Sequence, residues 1–347
     1  MSARVGGIGT ALPDQRFTQD ELWSGAYAQS CGGGPVHRRL FRGAGVQQRH
    51  LVVNPLVEDV SGWSTGERMR RYVTEALPLG KEAVDTALAD AGLAAEDVGL
   101  FALVSCTGYA TPGVDIHTAA ALGMAQDVQR LVVGHMGCYA AVPGLGAVGD
   151  FAVARGRPAV LLCLELTSLH RQPPADDLGQ TVGHALFGDA AAAVVVEPGS
   201  GPGLELVDVA AVTDPGSAGH MTWDVTDHGF RMELSPEVPA VLARHVAPAV
   251  SGLLGRHGLR VGDVDAWAVH PGGPRILDVV SERLDLPATA LDTSRQVLAE
   301  RGNCSSATVL LVLDALRTAG RPAPGRHAVV MAFGPGLTLY AALLRGR

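Results

Sequence analysis

Three residues in this sequence have side chains whose chemistry fits together, and each lies at the end of an expected helix or strand. Cys138 follows the apolar run 131–133 and precedes a segment of small residues that is typical of a buried helix. His270 ends the apolar strand expected over 266–269, and a glycine-rich turn there lets a ligand approach the backbone. Asn303 precedes the helix expected over 309–316. A thiol, an imidazole and a neutral amide together can carry an acyl group and stabilise an oxyanion.

Each of the three residues also has a structural interpretation. Cys138 lies among small apolar residues, where most cysteines are core residues. His270 could be a hydrogen-bonded core histidine, and Asn303 could cap its helix. The catalytic interpretation places the Cys138 sulfur at a helix N-terminus, where the helix dipole and an ion pair with His270 would both favour the thiolate. Groups of this kind collect at element ends in α/β proteins, which favours catalysis.

Five short motifs carry a resemblance to a known family. They are GCYAA at 137–141, FGDAAA at 187–192, HPGGP at 270–274, GNCSSA at 302–307 and GPG at 334–336. In this order, over nearly the whole chain, the sequence resembles the type III polyketide synthases of the chalcone synthase superfamily. The related β-ketoacyl synthase III enzymes typically follow their histidine with Gln-Ala-Asn. The Pro-Gly-Gly after His270 therefore favours the polyketide branch.

The resemblance implies an α/β thiolase-like fold, with two pseudo-duplicated βαβαβ halves stacked in five layers (α-β-α-β-α). The glycine and proline residues at 197–203 divide the chain into an N-terminal half, 1–198, and a C-terminal half, 199–347. The apolar pattern of the first half predicts a mostly parallel sheet. Strands are expected at 4–10, 99–105, 159–165, 190–196, 204–212, 265–269, 327–333 and 337–344, and helices at 80–92, 114–123 and 237–257, with a helical arm over 15–50.

Catalytic roles follow from the resemblance together with the chemistry of the three residues. Cys138 carries the covalent acyl thioester, and His270 acts as thiolate partner and oxyanion donor. Asn303 supplies the second donor, because decarboxylation of a malonyl thioester leaves an enolate oxygen that two neutral donors can stabilise.

The resemblance also assigns residues to the substrate cavity. Phe187 matches the gatekeeper between the coenzyme A tunnel and the cavity, and Met232 occupies the second gatekeeper position, where its flexibility differs from the plant pattern. A glycine of the plant enzymes falls on Thr222 or Trp223, and either bulkier residue implies a different or smaller cavity. Four positions line the cavity and two contact coenzyme A: Cys106, Thr111, His170 and Ser305 in the first group, Arg39 and Gly273 in the second.

The expected reaction starts from an acyl-CoA loaded on Cys138. Malonyl-CoA or a substituted malonyl-CoA then extends the chain by decarboxylative condensation, and the product cyclises. Two alternatives stay open. One is a single condensation of the β-ketoacyl synthase III type with an acyl carrier protein, and the other is a non-catalytic partner protein of the same fold. The starter, the number of extensions and the ring closure depend on cavity shape and not on these motifs.

Composition narrows the partners and the compartment. The formal net charge of −8 gives no basic face for nucleic acid. Neither a leader segment nor an apolar run long enough to span a bilayer is expected. Five scattered cysteines indicate a reducing compartment, hence the cytoplasm, and their spacing does not suggest a metal site. We expect no cofactor beyond the coenzyme A thioester substrates, and the resemblance implies a homodimer.

Overall fold

The structure is a computed structural model that describes residues 2–347. Its strands are β1 (Ala3–Ala11), β2 (Arg16–Thr18), β3 (Gln48–His50), β4 (Leu100–Ser105), β5 (Gln129–Gly134), β6 (Ala159–Leu166), β7 (Asp189–Pro198), β8 (Leu204–Thr213), β9 (Met221–Thr226), β10 (Gly229–Leu234), β11 (Val264–Val269), β12 (His327–Gly334) and β13 (Thr338–Gly346). Its α-helices are α1 (Gln19–Leu22), α2 (Ala28–Ser30), α3 (Pro35–Arg42), α4 (Thr65–Ala91), α5 (Val114–Leu122), α6 (Ala141–Arg155), α7 (Leu178–Leu186), α8 (Val238–Gly255), α9 (Pro274–Leu284), α10 (Asp292–Arg301) and α11 (Ser306–Thr318).

The main sheet consists of two similar parts. Its nine strands follow the order β11-β12-β13-β8-β1-β7-β6-β4-β5. From the centre outward, β1-β7-β6-β4 and β8-β13-β12-β11 show the same pattern of two antiparallel pairs and then one parallel pair. The two parts meet at β1 and β8, where three residues of each strand pair. The duplicated halves expected from the sequence are confirmed.

Buried side chains face alternate sides of the sheet along each strand, and this alternation produces the five layers. On β4, Phe101 and Leu103 pack with α4 and α5, whereas Ala102 faces the opposite way into a core that contains α6 and α11. On β11, Trp267 packs with α8 and α9, and Ala268 faces the same central core. Because successive strand residues face opposite sides of a sheet, each half-sheet covers one outer helix layer and shares the central one.

The sheet is mixed and not mostly parallel, which corrects the expectation for the first half. Only the β4/β5, β4/β6 and β11/β12 pairs are parallel among the described strands. Leu166 at the end of β6 pairs with Asp189 at the start of β7. The segment between the two strands therefore leaves and returns at the same end of these strands, so β7 runs antiparallel to β6.

Helix α4 begins earlier than the sequence pattern indicates. Its start at Thr65 is fixed by a capping box between Ser64 and Glu67, and it continues through Pro78 to a left-handed Gly92. The expected helix at 80–92 is its second half. The arm at 15–50 contains the short strands β2 and β3 besides helices α1 to α3.

Helix α8 differs from the expectation that no segment is long and apolar enough to span a membrane. It meets that criterion by length and composition, with a mean hydropathy of 1.3 over 18 residues. However, Leu242, Val246 and Val250 are buried in the outer core of the C-terminal half, together with Trp267 of β11. We therefore interpret α8 as a core helix.

Candidate active site

Cys138 lies in the turn between β5 and α6, three residues before the helix begins. Gly137 has a φ of 81°, and a Cβ there would lie 2.5 Å from Cδ of Pro335, so this turn requires glycine. The side chain of Cys138 is buried, and burial raises the pKa of its thiol to about 12, with a smaller opposing effect from the Ser305 hydroxyl. Burial thus favours the thiol, in opposition to the helix end and the ion pair that were expected from the sequence to favour the thiolate.

His270 directly follows β11, and its backbone N–H donates to the carbonyl of Met331 over 2.8 Å. Its residue surface is 1% exposed, and neither ring nitrogen has a hydrogen-bond partner within residues 2–347. Burial lowers the pKa of this imidazole to about 3. His270 is thus a neutral imidazole with one N–H to donate and one lone pair to accept a proton.

Asn303 is held by backbone and side-chain hydrogen bonds. Its N–H donates to the carbonyl of Leu186 over 2.8 Å, and its own carbonyl accepts from Gly188 over 3.0 Å. The side-chain Oδ1 accepts from the N–H of Ser305 over 2.9 Å. Because Oδ1 is engaged with the backbone, Nδ2 is the end of the amide that can donate to a ligand.

The three residues line one cavity of about 440 Å³. Most of its other walls are apolar side chains, among them Leu186, Met221, Leu234, Val238 and Phe333. The structure therefore brings together the nucleophile of the N-terminal half with the imidazole and amide of the C-terminal half. Because burial favours the neutral forms of both the thiol and the imidazole, the arrangement is suited to attack by sulfur coupled to proton transfer to a base.

The expected gatekeepers lie where cavities meet. Phe187 and Met232 line the main cavity and also two smaller ones. The smaller of these, about 10 Å³, touches Cys138, Cys106 and Ser305. The Cys106 Sγ lies 3.1 Å from the Ser305 Oγ, so both residues adjoin the nucleophile.

A third cavity of about 50 Å³, here called the side cavity, includes His170. The His170 Nδ1 accepts from the N–H of Phe230 over 2.9 Å, so Nε2 is the nitrogen that donates to the carbonyl of Thr107, at 2.6 Å. Burial lowers the pKa of His170 to about 3. The indole of Trp223 lines this cavity and donates to the carbonyl of Cys106 over 2.6 Å, whereas Thr222 lines none of the three cavities.

Of the two expected coenzyme A residues and Thr111, only Gly273 lines a cavity of this chain. Gly273 lines the mouth of the main cavity, together with Gly43 and Arg275. Arg39 is exposed on α3, near this mouth, but lines none of the three cavities. Thr111, in the loop between β4 and α5, is also exposed and lines none of the three cavities. Within one chain, the expectation that Thr111 lines the cavity is not met.

Glu165 is a residue of the site that sequence reasoning missed. It is buried in β6 and accepts hydrogen bonds from the Cys106 N–H at 3.0 Å, the Thr107 hydroxyl at 2.7 Å and the Ser306 hydroxyl at 2.5 Å. Burial raises the pKa of this carboxyl. Because Ser306 begins α11, Glu165 joins the two halves behind the site. The pattern that could have revealed Glu165 is a single acidic residue inside an otherwise apolar strand.

The described residues contain neither a disulfide nor a cluster of potential metal ligands. The five cysteines are all free and buried. Within residues 2–347, no group of three or more His, Cys, Asp or Glu side chains is arranged to hold a metal ion.

Comparison with known proteins matches this architecture. The family models for chalcone and stilbene synthases match with their N-terminal domain over residues 2–202 and their C-terminal domain over residues 205–347. The 1,3,6,8-tetrahydroxynaphthalene synthase of Streptomyces peucetius subsp. caesius is 38% identical, over 98% of this chain and 92% of the relative. The alpha-pyrone synthesis polyketide synthase-like Pks18 of Mycobacterium tuberculosis is 31% identical, over 98% and 90%. The crystal structure of PKS-I from the brown alga Ectocarpus siliculosus superposes with a TM-score of 0.92 at 28% identity, covering 100% of this chain and 98% of that one.

A duplicated thiolase-type fold with a Cys-His-Asn site defines a condensing enzyme that transfers acyl groups. The chain belongs to the chalcone and stilbene synthase family, the type III polyketide synthases. The family assignment made from the five motifs is therefore confirmed.

Proposed function

We propose that this enzyme loads a starter acyl group from coenzyme A onto Cys138, extends it with malonyl-CoA or a substituted malonyl-CoA, and cyclises the polyketide. One observation carries the proposal. Cys138, His270 and Asn303 line a single, largely apolar cavity, and both ring nitrogens of His270 are unpartnered within the described residues. A buried imidazole without a partner is costly unless a ligand completes its hydrogen bonds.

Loading begins when the Cys138 Sγ attacks the carbonyl carbon of the starter thioester. The thiol proton passes to a ring nitrogen of His270, and the oxyanion of the tetrahedral intermediate accepts hydrogen bonds from the Asn303 amide and the imidazolium. The C–S bond to coenzyme A then breaks, and His270 returns the proton to the departing thiolate. Both donors act in a largely apolar pocket, where such hydrogen bonds are stronger than in water.

Extension needs a carbon nucleophile. When the C–C bond of a malonyl thioester breaks, CO₂ leaves and its electron pair forms an enolate, whose oxygen accepts hydrogen bonds from His270 and the Nδ2 of Asn303. The enolate carbon attacks the Cys138 thioester, and the sulfur leaves as thiolate, ready for the next transfer. Two neutral N–H donors can stabilise the enolate because its anionic oxygen is a strong hydrogen-bond acceptor.

Coenzyme A fits the mouth of the main cavity. The apolar tunnel suits the pantetheine arm, and Gly43 and Gly273 leave room for it at the mouth. The phosphates would meet exposed guanidinium groups there, those of Arg39 on α3 and Arg275 on α9. Arg39 would therefore bind the phosphates of coenzyme A without forming part of the cavity wall.

We also propose a homodimer that works in the cytoplasm, without a metal or prosthetic group and without nucleic acid or membrane partners. Free thiols and the acidic net charge support the compartment and the partners. Support for the dimer comes from exposed apolar side chains around the edge strand β5, namely Tyr109, Ile116, Leu131 and Val132. Because Thr111 lies in the same region, a second copy could bring this residue to its neighbour's cavity. Light scattering of the purified protein would test the dimer.

Product analysis tests the proposed function. Purified enzyme is incubated with malonyl-CoA and a panel of starter coenzyme A thioesters, without any acyl carrier protein, and the products are analysed by mass spectrometry. We expect CO₂ release and cyclised products of more than one extension. Turnover that requires an acyl carrier protein would instead support the single-condensation alternative. The absence of any acyl adduct on Cys138 would support a non-catalytic role.

A further inference from the structure

The side cavity adjoins the active site and differs from it in polarity. Phe187 and Met232 separate it from the main cavity, since both residues line both spaces. Thr167, Phe187, Trp223 and Met232 are also shared with the small cavity that touches Cys138. An acyl chain on Cys138 that passes these residues therefore reaches the side cavity. At about 50 Å³, the space holds a few water-sized groups and not an aromatic ring.

Positive charge is concentrated around this cavity. Arg49, Arg68 and Arg171 are buried, with exposures of 1%, 0% and 9%. The guanidinium carbons of Arg49 and Arg171 lie 6.0 and 5.3 Å from the ring centroid of Tyr27, a wall residue of the cavity. Three buried cations in one region are unusual, because removing a charge from water without a counter-charge is strongly unfavourable.

The hydrogen-bond acceptors of these arginines are mostly neutral. Arg68 donates to four backbone carbonyls, those of Ser61, Trp63, Leu169 and Arg171. Arg49 donates to the carbonyl of Phe187 at 2.7 Å and to the Oε1 of Gln19 at 2.8 Å. Arg171 donates to the carbonyl of Ala26 and the hydroxyl of Ser30, both at 3.2 Å. Neutral acceptors satisfy the N–H groups but do not balance the charge.

Nearby carboxylates do not compensate fully. Asp59 lies 3.6 Å from the Arg171 Nη1, but its side chain is 68% exposed. Asp189 is buried, but it accepts hydrogen bonds from Ser168 and from the Val52 N–H, and burial raises its pKa. Asp177 pairs with Arg231, a further cation on the cavity wall. The Nε of Arg171 is buried and has no partner within residues 2–347. The wall of the cavity thus carries the cations Arg171 and Arg231, which give it the electrostatics that an anionic group requires.

We propose that the side cavity binds a carboxylate at the far end of the acyl chain on Cys138, and that Arg171 is the residue that selects it. The substrate class would be dicarboxylic acyl-CoA thioesters, or chains that keep such a carboxylate. This inference rests on the function proposed above. A guanidinium and a carboxylate form charge-assisted hydrogen bonds, which contribute more than neutral ones. Both ring nitrogens of His170 are engaged with the backbone, whereas only the Nδ1 of His184, the other histidine on the cavity wall, has a partner within residues 2–347, the Cys31 Sγ at 3.4 Å.

The test compares two starters of equal chain length. Succinyl-CoA ends in a carboxylate and butyryl-CoA in a methyl group, and neither can lose CO₂ by the malonyl route. The ratio of their loading rates on Cys138 is measured by intact-protein mass spectrometry. We expect wild-type enzyme to favour succinyl-CoA, and Arg171→Gln to lower the succinyl-to-butyryl ratio about 10- to 100-fold, the range expected for a charge-assisted hydrogen bond. Arg171→Lys should keep part of the preference.

A matched control is Arg283→Gln, which removes an exposed cation of α9 and should leave the ratio unchanged. The wild-type ratio alone tests the inference if Arg171→Gln fails to fold. Equal loading of the two starters, or an unchanged ratio in folded Arg171→Gln, would overturn the inference while butyryl loading upheld the proposed function. If succinyl-, butyryl- and acetyl-CoA all fail to label Cys138, the proposed function itself fails.

Discussion

The two halves of the molecule hold different side chains at equivalent places. Strand β4 ends one residue before Cys106, and β11 ends one residue before His270. Helix α6 begins three residues after Cys138, and α11 begins three residues after Asn303. Since β4 and β11 occupy the same place in the two half-sheets, the scaffold is shared while the chemistry is not. The fold determines where a group lies, and the residue type determines what it does.

Burial shifts the pKa values of the site residues in opposite directions in the two halves. It raises the pKa of the thiols of Cys138 and Cys106, and it lowers the pKa of the His270 imidazole. In the proposed mechanism, the N-terminal half therefore supplies the thiol proton, and the C-terminal half supplies the base and the neutral donors. Substitutions in one half should affect acyl transfer, and those in the other should affect both proton transfer and the enolate.

The largest effect is expected for Cys138→Ala, which removes the nucleophile and should abolish acyl loading. Cys138→Ser should be nearly as inactive, because a hydroxyl ionises far less readily than a thiol. Intact-protein mass after incubation with a starter coenzyme A thioester measures the adduct. Cys163→Ala, which alters a buried core thiol of β6, should still load. An adduct on Cys138→Ala at the wild-type level would refute the assignment.

His270→Gln should separate the two roles of the imidazole. Glutamine keeps a neutral N–H donor but cannot accept the thiol proton, so loading should fall by about 10²–10⁴-fold. Decarboxylation of malonyl-CoA should fall less, because one donor is retained. Rates of adduct formation and of CO₂ release give the comparison. Equal losses in both rates would argue against a proton-transfer role for His270.

Asn303→Asp should impair the enolate step and spare much of the loading, because in loading the oxyanion keeps its hydrogen bond from the charged imidazolium of His270. A carboxylate beside a developing enolate is repulsive, and loss of one oxyanion donor typically costs about 10²–10³-fold in rate. Asn54→Asp, in a turn outside the cavity, serves as the control. If Asn303→Asp released CO₂ from malonyl-CoA at the wild-type rate, the donor role would be wrong.

Cys106→Ser tests whether the equivalent position in the N-terminal half contributes to product control. The side chain borders the small cavity and contacts Ser305, but Cys106 is not the nucleophile. Starter loading should therefore persist, while products shift towards shorter or differently cyclised species. Chromatographic profiles under matched conditions decide it. Identical profiles at similar rates would leave Cys106 with a packing role only.

The smallest effect concerns stability and pH. The folded-state pKa of His270 is about 3, well below the ordinary 6.5, so the unfolded chain binds a proton between these values that the folded chain does not. Stability from this residue is complete above pH 6.5 and is lost as pH falls towards 3. At pH 5.5 the loss is about 1.4 kcal/mol. Urea unfolding at pH 7 and 5.5 should show a smaller drop for His270→Gln than for wild type; equal drops would contradict the buried, neutral imidazole.

Much of the fold could be predicted from the sequence, and so could the three residues that meet in the main cavity. Cys138, His270 and Asn303 each follow or precede a strong apolar segment, and those segments appear as β11, α6 and α11. The antiparallel return of β7 was not predictable, because the apolar pattern does not show the direction in which a strand enters the sheet. Glu165 and Arg171 were missed since their importance arises from burial among distant residues.

Release of CO₂ by Cys138→Ala tests the central claim most directly. If His270 and Asn303 stabilise the enolate independently of the thiol, this variant should release CO₂ from malonyl-CoA and yield acetyl-CoA, although it forms no acyl adduct. The combined variant Cys138→Ala with Asn303→Asp should lose that release. If Cys138→Ala folds but releases no CO₂, the division of roles between the two halves is contradicted.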